Sequence, residues 1–230
     1  MLFDPRYLLF VGPAFLLAIW AGMRVRSAFA KGSMVALMRN VRGADVARTV
    51  LNAAGLHDVA IEEIPGTLTD HYDPRQKVLR LSSPVFHGSS AAAAGVAAHE
   101  AGHALQHASG YAPVLVRNGL LPLAALGGQL ALPMFFIGLF AAYSGLAGLS
   151  VLMTAGIVLF GAVVLFHVVT LPVEVNASRR ALAVLAETGI LVRSEEIDAA
   201  KDVLTAAALT YLAAALQALL TFIYLLSRRR

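Results

Sequence analysis

Cysteine is absent from all 230 residues. That excludes disulfide scaffolds, iron–sulfur clusters and thiolate-held zinc, so any metal must be bound by histidine and carboxylate. Charge is scarce as well: Asp, Glu, Lys and Arg make up 14% of the chain, against about 25% in a typical soluble domain. With 58% apolar residues and a mean hydropathy of +0.72, the chain lacks the polar surface a purely cytosolic globular domain needs, and disorder, which requires low hydrophobicity and high charge, is excluded too. No basic patch with a nucleic-acid motif accompanies the net charge of +4, so nucleic acid is not expected as a partner.

The apolar excess is concentrated. Tyr7 to Met23 is an uncharged run of 17 residues, residues 118–173 hold no charge between Arg117 and Glu174, and Val203 to Ser227 is free of charge again. A crossing takes about 20 apolar residues, so the long stretch reads as two spans joined near Tyr143–Ser150. Four spans result, over residues 6–23, 119–142, 150–172 and 207–226. Ala28-Phe29-Ala30 resembles a signal-peptidase site, but Arg24 and Arg26 stand before it, which favours an uncleaved anchor. Residues 24–48 carry six basic side chains against Asp45 alone. By the positive-inside rule they stay in the cytoplasm, together with 174–202. Ser227-Arg-Arg-Arg230 would then face outward against that rule, unless the last helix lies in the interface. Thr210, Gln217 and Thr221 share one face of it, as in a helix packed on protein.

The polar segment reads as a small mixed domain. A helix is expected from Ala44 to Ala54, a strand over 59–64, a turn at Asp70–Pro74 and a second strand over 77–82. An alanine-rich helix follows from about Ser89 to Ser109. It carries His99-Glu100-Ala101-Gly102-His103. In a helix, residues four apart lie about 40° apart and one turn along, so His99 and His103 present two imidazoles to one ion, with Glu100 within reach of a water on it. Zinc held by three protein ligands keeps a position for water and lowers its pKa to about 7. A neighbouring carboxylate can take that proton and pass it to a leaving amine.

A third ligand is required. His107 is one turn further on, about 80° around from His99, and is not expected to reach the same ion. His167 lies inside the third span, where an ionisable residue marks function unless it is a neutral imidazole bonded to a neighbouring helix. His57, His71 and His87 fall in loops or at element ends; His71 and Tyr72 could line a cleft. Glu174 is the strongest candidate. It is the first charge after the hydrophobic hairpin, which returns the chain to the side it left, and Pro172 would start a helix bearing Glu174 and Ser178 on one face. The alternative is a snorkelling interfacial acid. Substrate could add to the sheet edge at Lys77–Ser82, while His71, Tyr72, Arg179 and Arg180 remain open as oxyanion donors.

His99-Glu-Ala-Gly-His-Ala-Leu-Gln106 together with Leu171-Pro-Val-Glu-Val-Asn-Ala-Ser-Arg-Arg-Ala181 resembles the YugP-type neutral zinc metallopeptidases of bacterial membranes, as do Asp70–Pro74 and Leu79–Ser82. The likeness runs from about residue 24 to the C-terminus. More distantly the chain is similar to the HtpX and CAAX prenyl-protease membrane enzymes. There an Asp four residues after the ligand Glu supports a ligand histidine; here that position is Ser178. The resemblance implies one zinc ion, His99, His103 and Glu174 as ligands, and Glu100 as catalytic acid/base in a gluzincin-like endopeptidase. Site-2-type intramembrane proteases take a further ligand from an Asp-Gly motif, which this chain lacks. A non-catalytic, zinc-stabilised membrane adaptor is the other alternative, and Glu100 speaks against it. The expected fold is mainly α, a polytopic membrane protein with about four transmembrane helices and a small α+β zincin-like domain at the membrane surface. Its expected parts are an anchor (1–23), the HExxH domain (24–117), a transmembrane hairpin (118–173), a third-ligand segment (174–202) and a last helix with a basic tail (203–230). The expected setting is the bacterial cytoplasmic membrane, with the active site on the cytoplasmic side and a peptide or membrane protein as substrate.

Overall fold

A computed structural model describes residues 5–228. Residues 1–4 of the expected anchor and Arg229 and Arg230 of the basic tail lie outside them. In chain order the elements are α1 (Pro5–Ser33), α2 (Gly43–Ala53), β1 (Ala60–Ile64), β2 (His71–Asp73), β3 (Val78–Ser82), α3 (Ser83–Phe86), α4 (Ala91–Ala108), α5 (Ala112–Tyr143), α6 (Val151–Glu187) and α7 (Ser194–Ser227), with a 3₁₀ turn at Ala147–Leu149. The chain is mainly helical, and α1, α5, α6 and α7 are long and apolar enough to cross a membrane. The turn between α5 and α6 falls where Gly and Ser gather, as expected. All four helices outrun the expected spans, because the charged residues that bound those spans, such as Arg24, Arg26 and Lys31 after the first, are good helix formers.

Two compact units divide the chain. One comprises Met1–Trp20, Leu115–Pro172 and Thr210–Arg230; the other comprises Ala21–Val114 and Val173–Leu209. The first is built from the most apolar parts of the long helices. Phe135, Ile157, Phe160, Tyr224 and Leu225 fill its centre, while Leu9, Phe140 and Val158 are 75%, 70% and 70% exposed. Large side chains turned outward at that level need an apolar surrounding. Arms α5 and α6 meet through glycine: a Cβ on Gly156 would lie 2.5 Å from the Ala131 carbonyl oxygen.

The second unit holds the sheet and the alanine helix. Strand order is β1-β3-β2, with β1 parallel and β2 antiparallel to β3. The expected open edge at Lys77–Ser82 is therefore incorrect: β3 is the central strand, and β1 and β2 are the edges. The expected turn at Asp70–Pro74 is also displaced. His71–Asp73 pairs with Val78–Arg80, and the reversal occupies the next four residues. There Asp73 Oδ1 accepts from the Arg75 and Gln76 amides at 2.9 and 3.2 Å, and Lys77 takes φ +52°. Turn chemistry was present in the sequence, but it sits one residue past the strand it ends.

Helix α4 is the centre of this unit, capped by Ser90 Oγ, which accepts from the Ala93 amide at 3.2 Å. Its small residues are approach points for other elements. A Cβ on Gly95 would touch Ala200 of α7, and one on Gly102 would lie 2.8 Å from the Ala177 carbonyl oxygen of α6. Pro172 does not start a helix, contrary to expectation, but lies inside the continuous α6. Long apolar helices tolerate proline, and α1 and α5 carry it internally as well.

Candidate metal centre

The α4–α6 approach at Gly102 sets the spacing of the centre. Gly102 immediately precedes His103, and Ala177 lies three residues after Glu174, so backbones this close bring the ligand-bearing faces together. His99, His103 and Glu174 each offer a ligand atom, and the three atoms lie within 4.8 Å of one another. Glu174 Oε2 is 3.2 Å from His99 Nε2 and 3.5 Å from His103 Nε2. The Glu174 residue is 2% exposed and His99 is 9% exposed. Burial pushes the Glu174 carboxyl up, but hydrogen bonds from His103 and His99 outweigh it and hold the group well below the usual carboxylate range. Burial disfavours a charged His103, yet Glu174 and Glu100 together raise its affinity for a proton.

Each imidazole is held from behind. His99 Nδ1 is 3.1 Å from Ser178 Oγ, and His103 Nδ1 is 3.0 Å from Gln106 Oε1. The fully buried Gln106 amide is oriented by its nitrogen, which donates to the Val173 carbonyl at 2.7 Å and to Asn176 Oδ1 at 3.0 Å. With the Gln106 oxygen thereby facing His103, Nδ1 of that ring carries a proton, so Nε2 is the nitrogen that would give up its proton and offer a lone pair to an ion. Arg180 Nε in turn donates to Asn176 Oδ1 at 2.9 Å. These partners fit zinc. Ligand bonds of about 2.0–2.2 Å at tetrahedral angles place donors about 3.3–3.6 Å apart, close to the two separations measured from Glu174. The His₂Glu donor set is one that catalytic zinc sites use.

Glu100 lies one residue after His99 and is half-buried. Other sequence candidates lie elsewhere. His57 pairs with Asn52 Oδ1, His71 with the Thr69 carbonyl and His87 with Glu63. His107 Nδ1 shares a 3.1 Å hydrogen bond with Tyr72 Oη, and His167 stacks edge-on against Phe166. Arg180 is engaged with Asn176 and Ser109 and packs over Tyr111, whereas Arg179 is exposed. Sequence reasoning missed Gln106 altogether. Its signal was a polar side chain at helical spacing from His103 on an otherwise alanine-lined face. Ser178 was placed on the Glu174 face and noted as a departure from the Asp of distant relatives, and its Oγ lies 3.1 Å from His99 Nδ1.

Over residues 7–230 the chain matches the protein family described as "putative neutral zinc metallopeptidase". The chain belongs to that family. It is 44% identical over 203 residues to the "Putative membrane protease YugP" of Bacillus subtilis (strain 168), covering 88% of this chain and 87% of that protein. No solved structure matches it. Membership in a zinc metallopeptidase family agrees with a donor cluster made only of histidine and glutamate.

Proposed function

We propose that this chain is a membrane-embedded zinc endopeptidase, with His99, His103 and Glu174 as ligands to one zinc ion and Glu100 as general acid/base. The observation that carries the reading is the Glu174 carboxylate oxygen sitting between two Nε2 atoms whose opposite ring nitrogens are already engaged. When bound, zinc supplies Lewis acidity to a peptide carbonyl and makes a water molecule acidic near neutral pH.

The protein's own groups do the rest. Ser178 and Gln106 keep both rings facing inward, and the buried Glu174 balances charge. Glu100 accepts a proton as the water oxygen bonds to the carbonyl carbon, then delivers it to the nitrogen as the C–N bond breaks. Strand β2, the edge packed on α4, offers backbone groups for an extended peptide. Helix α4 is not among the four long apolar helices, which favours a centre at the membrane surface over one within a span. The basic segment 24–48 favours the cytoplasmic side of a bacterial plasma membrane, with a peptide or membrane protein as substrate.

Glu100→Gln tests the reading. Peptide hydrolysis should fall by about 10²–10⁴-fold while zinc content stays at one ion per chain. Undiminished cleavage would refute the role of Glu100, and zinc retention without cleavage by the unaltered protein would favour the adaptor alternative.

A further inference from the structure

On the second unit, against the C-terminal half of α4, lies a cavity of about 140 Å³. Its apolar walls are Leu56, Val59, Ala104 and Ala108. Its polar side chains pair with one another: Tyr72 Oη and His107 Nδ1 share a hydrogen bond at 3.1 Å, and Lys77 Nζ and Asp58 Oδ2 pair at 2.6 Å. The one cation and the one anion at it thus face each other, and no unbalanced charge favours a charged side chain. The volume is close to that of an apolar cavity of about 150 Å³ that holds benzene.

Its position on α4 ties it to the reaction. Taking 100° per residue, Glu100 lies about 60° around the helix from His103, His107 about 40° and Ala104 about 100°, all on the same side. The cavity therefore continues the Glu100 flank of α4 toward its C-terminus. Ala104 and Ala108 are four and eight residues past Glu100, about 6 and 12 Å along the axis. An extended peptide advances about 3.3 Å per residue. Tyr72, which bonds His107 at the cavity, belongs to the edge strand β2.

We infer that this cavity is a substrate subsite for a bulky apolar side chain, a branched aliphatic or phenyl group, about two or three residues from the scissile bond. The inference rests on the peptidase reading above. It makes the enzyme selective at a position remote from the bond cut, with Tyr72 and His107 forming a fixed wall.

The test uses the full-length, zinc-loaded Glu100→Gln protein in detergent, so that binding is read without cleavage. Fluorescent peptides carrying a single Leu at successive positions of a Gly/Ser background are titrated by anisotropy. One position should bind about tenfold tighter with Leu than with Gly, the scale on which apolar pockets discriminate. Ala108→Phe, which fills the cavity from its exposed rim, should erase that preference without changing zinc content. Leu56→Ala, which enlarges it, should move the preference toward Trp. Binding indifferent to Leu, or a Leu preference that survives Ala108→Phe, would overturn the subsite. Cleavage of the same peptides by the unaltered protein would then leave the peptidase reading intact. Size-selective binding lost in Ala108→Phe, with no cleavage by the unaltered protein, would support the subsite and count against the peptidase.

Discussion

The two units of this chain use the same scarcity of charge in opposite ways. The first leaves Leu, Phe and Val side chains outside and fills its centre with large apolar groups. The second fills its interior with Leu, Val and alanine and also encloses a few polar side chains, each with partners. Glu174, Gln106 and Glu196 are all nearly or fully enclosed. Glu196 accepts from the Met38, Val192 and Arg193 amides and from the Arg193 guanidinium. Exposed apolar surface in one unit and satisfied buried polarity in the other are both costly in the wrong solvent. The contrast supports the proposal that the first unit meets lipid and the second meets protein and water.

The sharpest break of that contrast is a charge placed on each surface. Val158→Arg, on the outward face of α6, should cost about 2.5–3.5 kcal/mol of membrane insertion, read as the membrane-integrated fraction. Met34→Arg, at a side chain 78% exposed in the second unit, should change stability by less than about 0.5 kcal/mol. Equal losses would remove the distinction.

Next in size is a pair of glycine substitutions. Gly102→Val drives a side chain into the Ala177 backbone and should destabilise by about 1–3 kcal/mol, with loss of bound zinc. Gly12→Val, in the first unit with nothing within 4 Å of a Cβ, should leave melting temperature and zinc content as they were.

Gln106→Leu keeps the volume and removes the acceptor behind His103. Zinc affinity should fall about 10–100-fold in a competitive chelator titration, with the fold retained by circular dichroism. An unchanged affinity would mean that the amide merely packs.

The smallest effect concerns acid stability. Glu196 lies in the first turn of α7, ahead of the uncharged run that starts at Val203. Burial raises its carboxyl, but the Val192, Met38 and Arg193 amides prevail and bring it down to about 2 from an ordinary 4.5. Because the folded form binds the proton less readily, this contribution is complete above the ordinary value. It is lost as pH falls from about 4.5 toward 2. Glu196→Gln should be less stable at neutral pH and should show a flatter acid limb in denaturation followed against pH.

What was legible in the sequence was local or enforced by the membrane. The His99–His103 spacing needs only a helix, and the four apolar helices announce themselves by length. Glu174 could be named as a ligand candidate because a there-and-back hairpin leaves few places for its first charge. Illegible features depend on tertiary partners. Gln106 acquires its role from Val173 and Asn176, some 70 residues away. Strand β2 has three residues, too few to show alternation. The central position of β3 follows from a parallel pairing with β1 that no neighbouring turn encodes. Pro172 misled because the usual helix-breaking rule weakens in an apolar helix.

Helix α6 carries the candidate ligand Glu174 three residues before Ala177, the point where it packs on Gly102. Phase is therefore fixed between the two positions. One residue inserted between them without unwinding the helix would turn the carboxylate by about 100° relative to the packed face. Either the contact with α4 or the carboxylate would then face the wrong way. Insertions and deletions in this short stretch should be tolerated far less than substitutions.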